Sequence, residues 1–292
     1  MSVKTPGSLG LLQYLDEESY GQVSYPATAQ GYGFMRTATA DQSREITDTG
    51  GDGTRKTVMG ISGIREATLS AELTLYKKSE RMDWSHLLKN TVREIPQAET
   101  LLVKTASDEY FQLTGAVPDK LTLSADNVGS IIIAKADFKG QKLIGPKEST
   151  ADFGEIHEVP HYDRTPITFN AYPYLVFADG TEEIIPTHKF TYTINNSLVA
   201  QQGILDDGIG YAAGNGLVPG MQTATLEFEV TSKDNVWDER KLNGFEVVQI
   251  RHKINDIIIG FTNCQLQSGL PARSQNVYNE TLTFKCHGAI HL

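Results

Sequence analysis

The chain of 292 residues has two cysteines, Cys264 and Cys286, too few for a disulfide framework. Both stand in strand-like contexts, which reads as free, partly buried thiols. Long apolar runs are missing as well. The longest, such as Ile131-Ile132-Ile133-Ala134, fall far short of a bilayer span, and the opening MSVKTPGSLG lacks the apolar core of a secretion signal. These absences predict a globular protein with no membrane insertion. Cationic charge is scarce, with 26 Lys and Arg against 36 Asp and Glu and a net charge of −10. The deficit lies late: residues 1–150 carry 17 basic against 19 acidic residues, and residues 151–292 carry 9 against 17. That balance argues against an electropositive nucleic-acid groove. It suits ordinary solubility, and also a surface past which DNA moves without sticking.

Catalytic signatures are lacking too. There is no GxSxG elbow, no P-loop and no CxxC pair. Gly208-Ile-Gly-Tyr-Ala-Ala-Gly214 has one residue too many for the dinucleotide fingerprint and no strand-to-helix context, so it reads as a glycine-rich loop. His157 and His161, near Glu155, Glu158 and Asp163, form the best metal-like grouping, but Pro160 breaks the helix that an i, i+4 pair needs. The expectation is a non-enzyme with no catalytic residue, no cofactor and no metal.

What the chain does have is repetition. GIREATLSAELT, residues 63–74, returns 157 positions later as GMQTATLEFEVT, residues 220–231, with 6 of 12 positions identical. The features that follow keep the same order: a Trp (Trp84, Trp237), a short polar helix-like patch, an apolar strand, Val117-Pro118 or Leu270-Pro271, and a closing strand that ends in Gly140 or Gly288. A fixed order of features is the mark of a tandem duplication, here of a unit of about 110 to 140 residues. The division expected is a first unit with an N-terminal arm over 1–145, a structured connector with a hairpin over 146–186, and a second unit over 187–292.

Periodicity within the repeats is two. Leu69, Ala71, Leu73 and Leu75 alternate with Thr68, Ser70, Glu72, Thr74 and Tyr76, and Leu226, Phe228 and Val230 alternate with Thr225, Glu227, Glu229 and Thr231. Such a strand buries one face and keeps the other wet. Ile132 to Phe138 and Leu282 to Cys286 alternate in the same way. A cover for the dry face is expected from two short amphipathic helices, Ser79–Asn90 with Met82, Trp84, Leu87 and Leu88 on one side, and Lys233–Gly244 with Asp234 as N-cap and Asn243-Gly244 as stop. Asp179-Gly180, between Tyr174 and Ile185, predicts a hairpin. Ser43–Gly60 and Asn195–Gly220 lack strand patterning and are expected to be long loops that reach toward a neighbour. The fold class is therefore mainly β with short helices, in two tandem barrel or sandwich units each flanked by a helix.

These features resemble the phage tail tube (major tail) proteins. The carriers are the polar stretch followed by Gly63–Thr74, its equivalent followed by Gly220–Thr231, and the strand Phe190-Thr-Tyr-Thr-Ile-Asn-Asn196. The resemblance covers most of the chain. It implies a structural virion protein, made in the host cytoplasm and resident in the viral tail, whose inner sheet faces line a channel that conducts DNA without binding it specifically. A fused two-unit chain would close a ring of three copies with pseudo-sixfold appearance, and rings would stack into a helical filament. The partners implied are further copies of the chain, a tail terminator, a tape-measure protein and baseplate or tip proteins. Under this reading Thr68, Ser70, Glu72, Thr74, Thr225, Glu227, Glu229 and Thr231 face the lumen, and Lys135 and Lys285 count against an acidic lumen if they share that face. The inter-ring contacts fall to Glu45, Asp48, Asp52, Arg55, Lys56, Asp206, Asp207 and Tyr211, together with the segment Met1–Tyr25. Two alternatives stand beside it. One is a tail hub or terminator ring, and the other is a β-sandwich module that recognises carbohydrate or a receptor through tyrosines such as Tyr162, Tyr172 and Tyr174.

Overall fold

The computed structural model of the protein describes residues 3–50, 57–105, 107–158, 165–200, 203–204, 211–212, 217–232, 236–267 and 278–292. Its first half comprises β1 (Val3–Asp16), β2 (Ala27–Thr28), β3 (Gln30–Gly50), β4 (Thr57–Thr74), α1 (Trp84–Val92), β5 (Glu99–Lys104), β6 (Tyr110–Ala125), β7 (Ile133–Gly140), β8 (Lys142–Lys147) and β9 (Ile156–His157). Six of these strands close on themselves. β1 pairs with β3 and β5, β5 with β6, β6 with β7, β7 with β4, and β4 with β3, every pair antiparallel. Closure satisfies the hydrogen-bonding edges that an open sheet would leave bare. The expected N-terminal arm is thus corrected: β1 is a barrel stave, with Leu12 and Tyr14 in the main core. Leu11 and Leu15, on the alternate face, are buried under other elements. Gly10 lets this stave sit close, since a Cβ there would lie 2.7 Å from the Lys104 carbonyl.

The second half adds β10 (Tyr174–Val176), β11 (Glu182–Ile184), β12 (Thr187–Asn195), and four two-residue strands, β13 (Val199–Ala200), β14 (Gly203–Ile204), β15 (Tyr211–Ala212) and β16 (Leu217–Val218). It ends with β17 (Thr223–Ser232), α2 (Val236–Leu242), β18 (Glu246–Ile254), β19 (Ile257–Leu266) and β20 (Tyr278–His291). The strand order here is β10-β18-β19-β20-β17-β12. In the barrel it is β1-β5-β6-β7-β4-β3, so elements of like position in the chain hold like positions in the sheet. The difference is that β10 pairs with β11 rather than closing onto β12, which leaves the second sheet open among the described residues.

Strand β6 joins the barrel to the second sheet. β6 runs beside β5 as far as Ala116 and beside β12 from Lys120 to Ala125. The change of neighbour falls at Pro118, which has no N–H to give to a ladder, and the β6–β7 register slips between Pro118 and Lys120. Asn196, buried just beyond β12, pins the corner by donating from Nδ2 to the carbonyls of Pro118 and Thr91, each at 2.9 Å.

Both helices cover the dry face, and α1 is shorter than the sequence predicts. α1 begins at Trp84 because Ser79–Met82 forms its own turn, with the Ser79 N–H donating to the Met82 carbonyl at 2.9 Å, and Asp83 caps the helix by accepting from the Ser85 N–H at 3.0 Å. Trp84, Leu87 and Leu88 are buried. α2 buries Trp237 and stops where expected: Gly244 has φ +68°, and the Phe245 N–H returns to the Arg240 carbonyl at 3.1 Å. The proposed cap Asp234 lies outside the described residues. The Asp179-Gly180 hairpin is formed by β10 and β11, with Gly180 at φ +84°.

The two long loops are corrected. Ser43–Gly50 and Thr57–Gly60 continue β3 and β4 as one hairpin ladder, and within 195–220 the pairs β13–β16 and β14–β15 form, with β15 lying parallel against β4. Backbone pairing needs no apolar alternation, so composition alone did not reveal these ladders. No described helix is long and apolar enough to cross a membrane.

Candidate functional site

The repeated strands place their alternating residues as the periodicity requires. Leu69, Ala71, Leu73, Leu226, Phe228 and Val230 are buried, while Thr68, Ser70, Glu72, Thr74, Thr225, Glu227, Glu229 and Thr231 stand on the other face, half-buried or exposed. What periodicity could not supply is their alignment. Through the β6–β12 junction one row runs Thr37–Glu72–Lys135–Thr122–Thr193–Thr225–Lys285, each residue opposite the next in register. The adjacent wet row runs Thr74–Ile133–Ser124–Thr191–Glu227–Thr283. The intervening dry row is Met35–Leu73–Ala134–Leu123–Tyr192–Leu226–Phe284. Both repeats therefore belong to one seven-strand face, hydroxyl-rich on the wet side and apolar on the other.

Charge on that face is mixed, not acidic. Arg36 meets Glu72 at 3.0 Å, Lys189 meets Glu229 at 3.0 Å, Lys139 meets Asp119 at 3.4 Å, and Ser70 donates to Asp137 at 2.6 Å. Lys135 and Lys285 share the face, opposite Glu72 and Thr225. Repulsion by carboxylates is thus not how the face would treat a polyanion. Glu72, Glu229 and Asp119 sit in contact with bases, and hydroxyls fill the spaces between.

Of the other candidates, Glu45 and Asp48 lie in β3 and Tyr211 in β15; Asp52, Arg55, Lys56, Asp206 and Asp207 lie outside the described residues. β15 lies beside β4 at Ile64 and Arg65, so the later of the two segments expected to reach a neighbour pairs with its own chain. His157 is in β9, Glu158 accepts from the Tyr110 hydroxyl at 2.9 Å, and His161, Asp163 and Tyr162 lie outside the described residues. Tyr172 is exposed and meets Phe169 edge-on, while Tyr174 enters β10.

The sequence reading missed a buried polar cluster under α1. Glu99, fully buried, accepts from the Tyr32 hydroxyl and from Asn90 Nδ2 at 2.8 Å, and pairs with His86 Nε2 at 2.6 Å. Tyr14 stacks on His86 at 4.4 Å and on Tyr32 at 4.5 Å. Burial by itself would lower the His86 pKa, but the Glu99 hydrogen bond and the charges of Glu99, Asp16 and Asp83 outweigh it and hold the imidazole above its ordinary value. Asp16, His86 and Glu99 offer donor atoms within 4.8 Å of one another. His86 and Glu99 already bind each other, and the cluster fastens α1 (His86, Asn90) to β3 (Tyr32) and β5 (Glu99). These residues are scattered from 14 to 99, with no spacing signal to unite them.

A second histidine is buried in the other half. His252 Nε2 meets the Ala171 carbonyl and Nδ1 meets the Tyr192 hydroxyl, each at 2.8 Å, so the neutral ring is fully bonded. Burial, only partly offset by the Ala171 bond, lowers its pKa to about 4. Lys241 of α2 and Glu280 of β20, both buried, pair at 2.8 Å. A concavity of about 580 Å³ is lined by Phe177, Asp179, Glu246, Val247, Cys264 and His287 among others. No protein-family model matches the chain, and no curated protein matches it.

Proposed function

We propose that the protein is a structural subunit that assembles through its sheets into rings, three copies to a ring, stacked as the tube of a viral tail. The observation that carries this reading is the single seven-strand face whose rows pair residue for residue from Glu72 to Lys285 across the barrel and the second half. A channel wall needs a broad curved sheet with one wet and one dry side, and the wet side here is rich in hydroxyls and balanced in charge. A long polyanion meets few unpaired cations on such a surface, so it slides rather than sticks. Tandem duplication is supported by the shared strand order of the two halves and by the equivalent placement of α1 and α2.

Ring closure follows from how the halves join. β12, the counterpart of β3, has its outer edge filled by β6. On β3 the outer edge is occupied by Val3–Pro6 only as far as Ala40, and from Asp41 onward β4 is its only partner strand among the described residues. A junction of the β6–β12 kind repeated between chains is heterologous, and such contacts close into rings. The test is negative-stain electron microscopy of the concentrated protein, with mass measurement of the dilute species. Three-chain rings or tubes with a central channel are expected. Rings that never stack would indicate a hub or terminator instead, and a persistent monomer or dimer would overturn assembly altogether.

A further inference from the structure

Cys264 and Cys286, 22 positions apart, are direct partners across the β19–β20 ladder, and both are buried and free. The pairs 264/286, 265/285 and 266/284 follow one another without a shift, and the next residue, Gln267, donates its N–H to the Thr283 carbonyl at 2.8 Å. Counting back from that bonded position by alternation makes Cys264/Cys286 a non-hydrogen-bonded pair. Such pairs bring Cα atoms to about 4.5 Å, with side chains on one face, inside the range of about 4.4–6.8 Å that disulfides require. Cys264 also lines the 580 Å³ concavity beside His287, which gives a small reagent a way in.

We infer that Cys264 and Cys286 are an oxidation site, at which a small-molecule disulfide converts the two thiols into a cross-strand bond within one chain. The reaction balances by exchange. The Cys264 thiolate attacks one sulfur of the reagent and expels the first reagent thiol; Cys286 then loses its proton and attacks the Cys264 sulfur of the mixed disulfide, expelling the second. Two protein thiols and one reagent disulfide become one protein disulfide and two reagent thiols. Contact with Cys264, with burial added, holds the Cys286 thiol above the usual thiol range, which assigns the first attack to the residue on the concavity and makes the reaction slow.

The bond would tie the last strand of the seven-strand face, β20, to β19 after the protein leaves a reducing cytoplasm. The experiment uses the native full chain with oxidised glutathione at mildly alkaline pH, read by intact mass and thiol titration. Loss of both thiols with a mass lower by two hydrogens, no glutathione adduct, monomeric migration without reductant and reversal by dithiothreitol are expected. Cys264→Ala should then keep its remaining thiol, or stop at a glutathione adduct. Two thiols that stay free in the native chain while oxidising in urea, a stable adduct on wild type, or a disulfide between chains would each overturn the inference.

Discussion

The Thr122 and Thr193 hydroxyls face each other at 3.4 Å across the β6–β12 ladder, one from the closed barrel and one from the open sheet. This contact is weak, yet it marks the place where two sequence repeats become one surface. If that ladder carries the coupling between halves, a proline in it should separate them. Thr193→Pro removes a ladder hydrogen bond and forces φ in a central strand, where proline is not tolerated. Trp84 reports on the barrel and Trp237 on the other half. In single-tryptophan versions the two urea transitions should coincide for the parent and part for the proline variant.

Glu99, itself fully buried, holds three donors. Glu99→Ala leaves the Tyr32 hydroxyl and Asn90 amide unpaired and His86 without its counter-charge, so a loss of about 3 kcal/mol is expected. Urea denaturation measures it. Amide exchange should localise the loosening to α1, and a loss below about 0.5 kcal/mol would show that the cluster does not fasten the helix.

His252, buried, and His86, partly exposed, act oppositely with pH. His252 has an ordinary value of 6.5 in the unfolded chain and about 4 when folded. Between these the unfolded state binds more protons, so stability falls as pH drops from 6.5 toward 4, by about 3 kcal/mol in all. His86, whose folded value is raised, contributes stability that is complete below 6.5 and is lost as pH rises through that folded value. Urea titrations across this range, paired with NMR titration of the ring protons, should find His252 the last ring to protonate and His86 protonated before it.

Lys241 and Glu280 pair across α2 and β20 with side chains 7% and 5% exposed. Lys241→Met alone strands a buried carboxylate and should cost about 3 kcal/mol, whereas Lys241→Met with Glu280→Leu should restore stability to within about 1 kcal/mol of the parent. A double-mutant cycle by thermal or urea unfolding decides it. A loss in the double variant equal to the sum of the two single losses would mean the pair is not coupled.

If the chain assembles into a tube as proposed, Glu227 and Glu229 offer a direct probe of the wet face. Changing both to Lys adds cations beside Lys189 and Lys285, with the dry face untouched. Tubes should form as before but retain DNA at low salt, with retention falling steeply as salt rises. Binding assays over a salt series test this, and retention equal to that of the parent would place the face outside the channel.

Alternation of apolar and polar residues over Thr68–Leu75, Thr225–Thr231 and Leu282–Cys286 determined by itself which side chains would be dry, because a strand's two faces are set by parity alone. The caps and stops were legible for the same local reason: Asn243-Gly244 ends α2 and Asp179-Gly180 turns a hairpin. Register, partner choice and closure were not legible. β1 looked like an arm because its burial depends on β3 and β5, and the stretches at 43–60 and 195–220 looked like loops because ladder hydrogen bonds leave no pattern in composition. Only the tertiary structure placed Lys135 opposite Glu72, gathered Tyr32, His86 and Glu99, and set Cys264 against Cys286. Each of these is a contact between residues far apart in the chain, and such contacts are settled by how strands pair and helices cover them, not by any local preference.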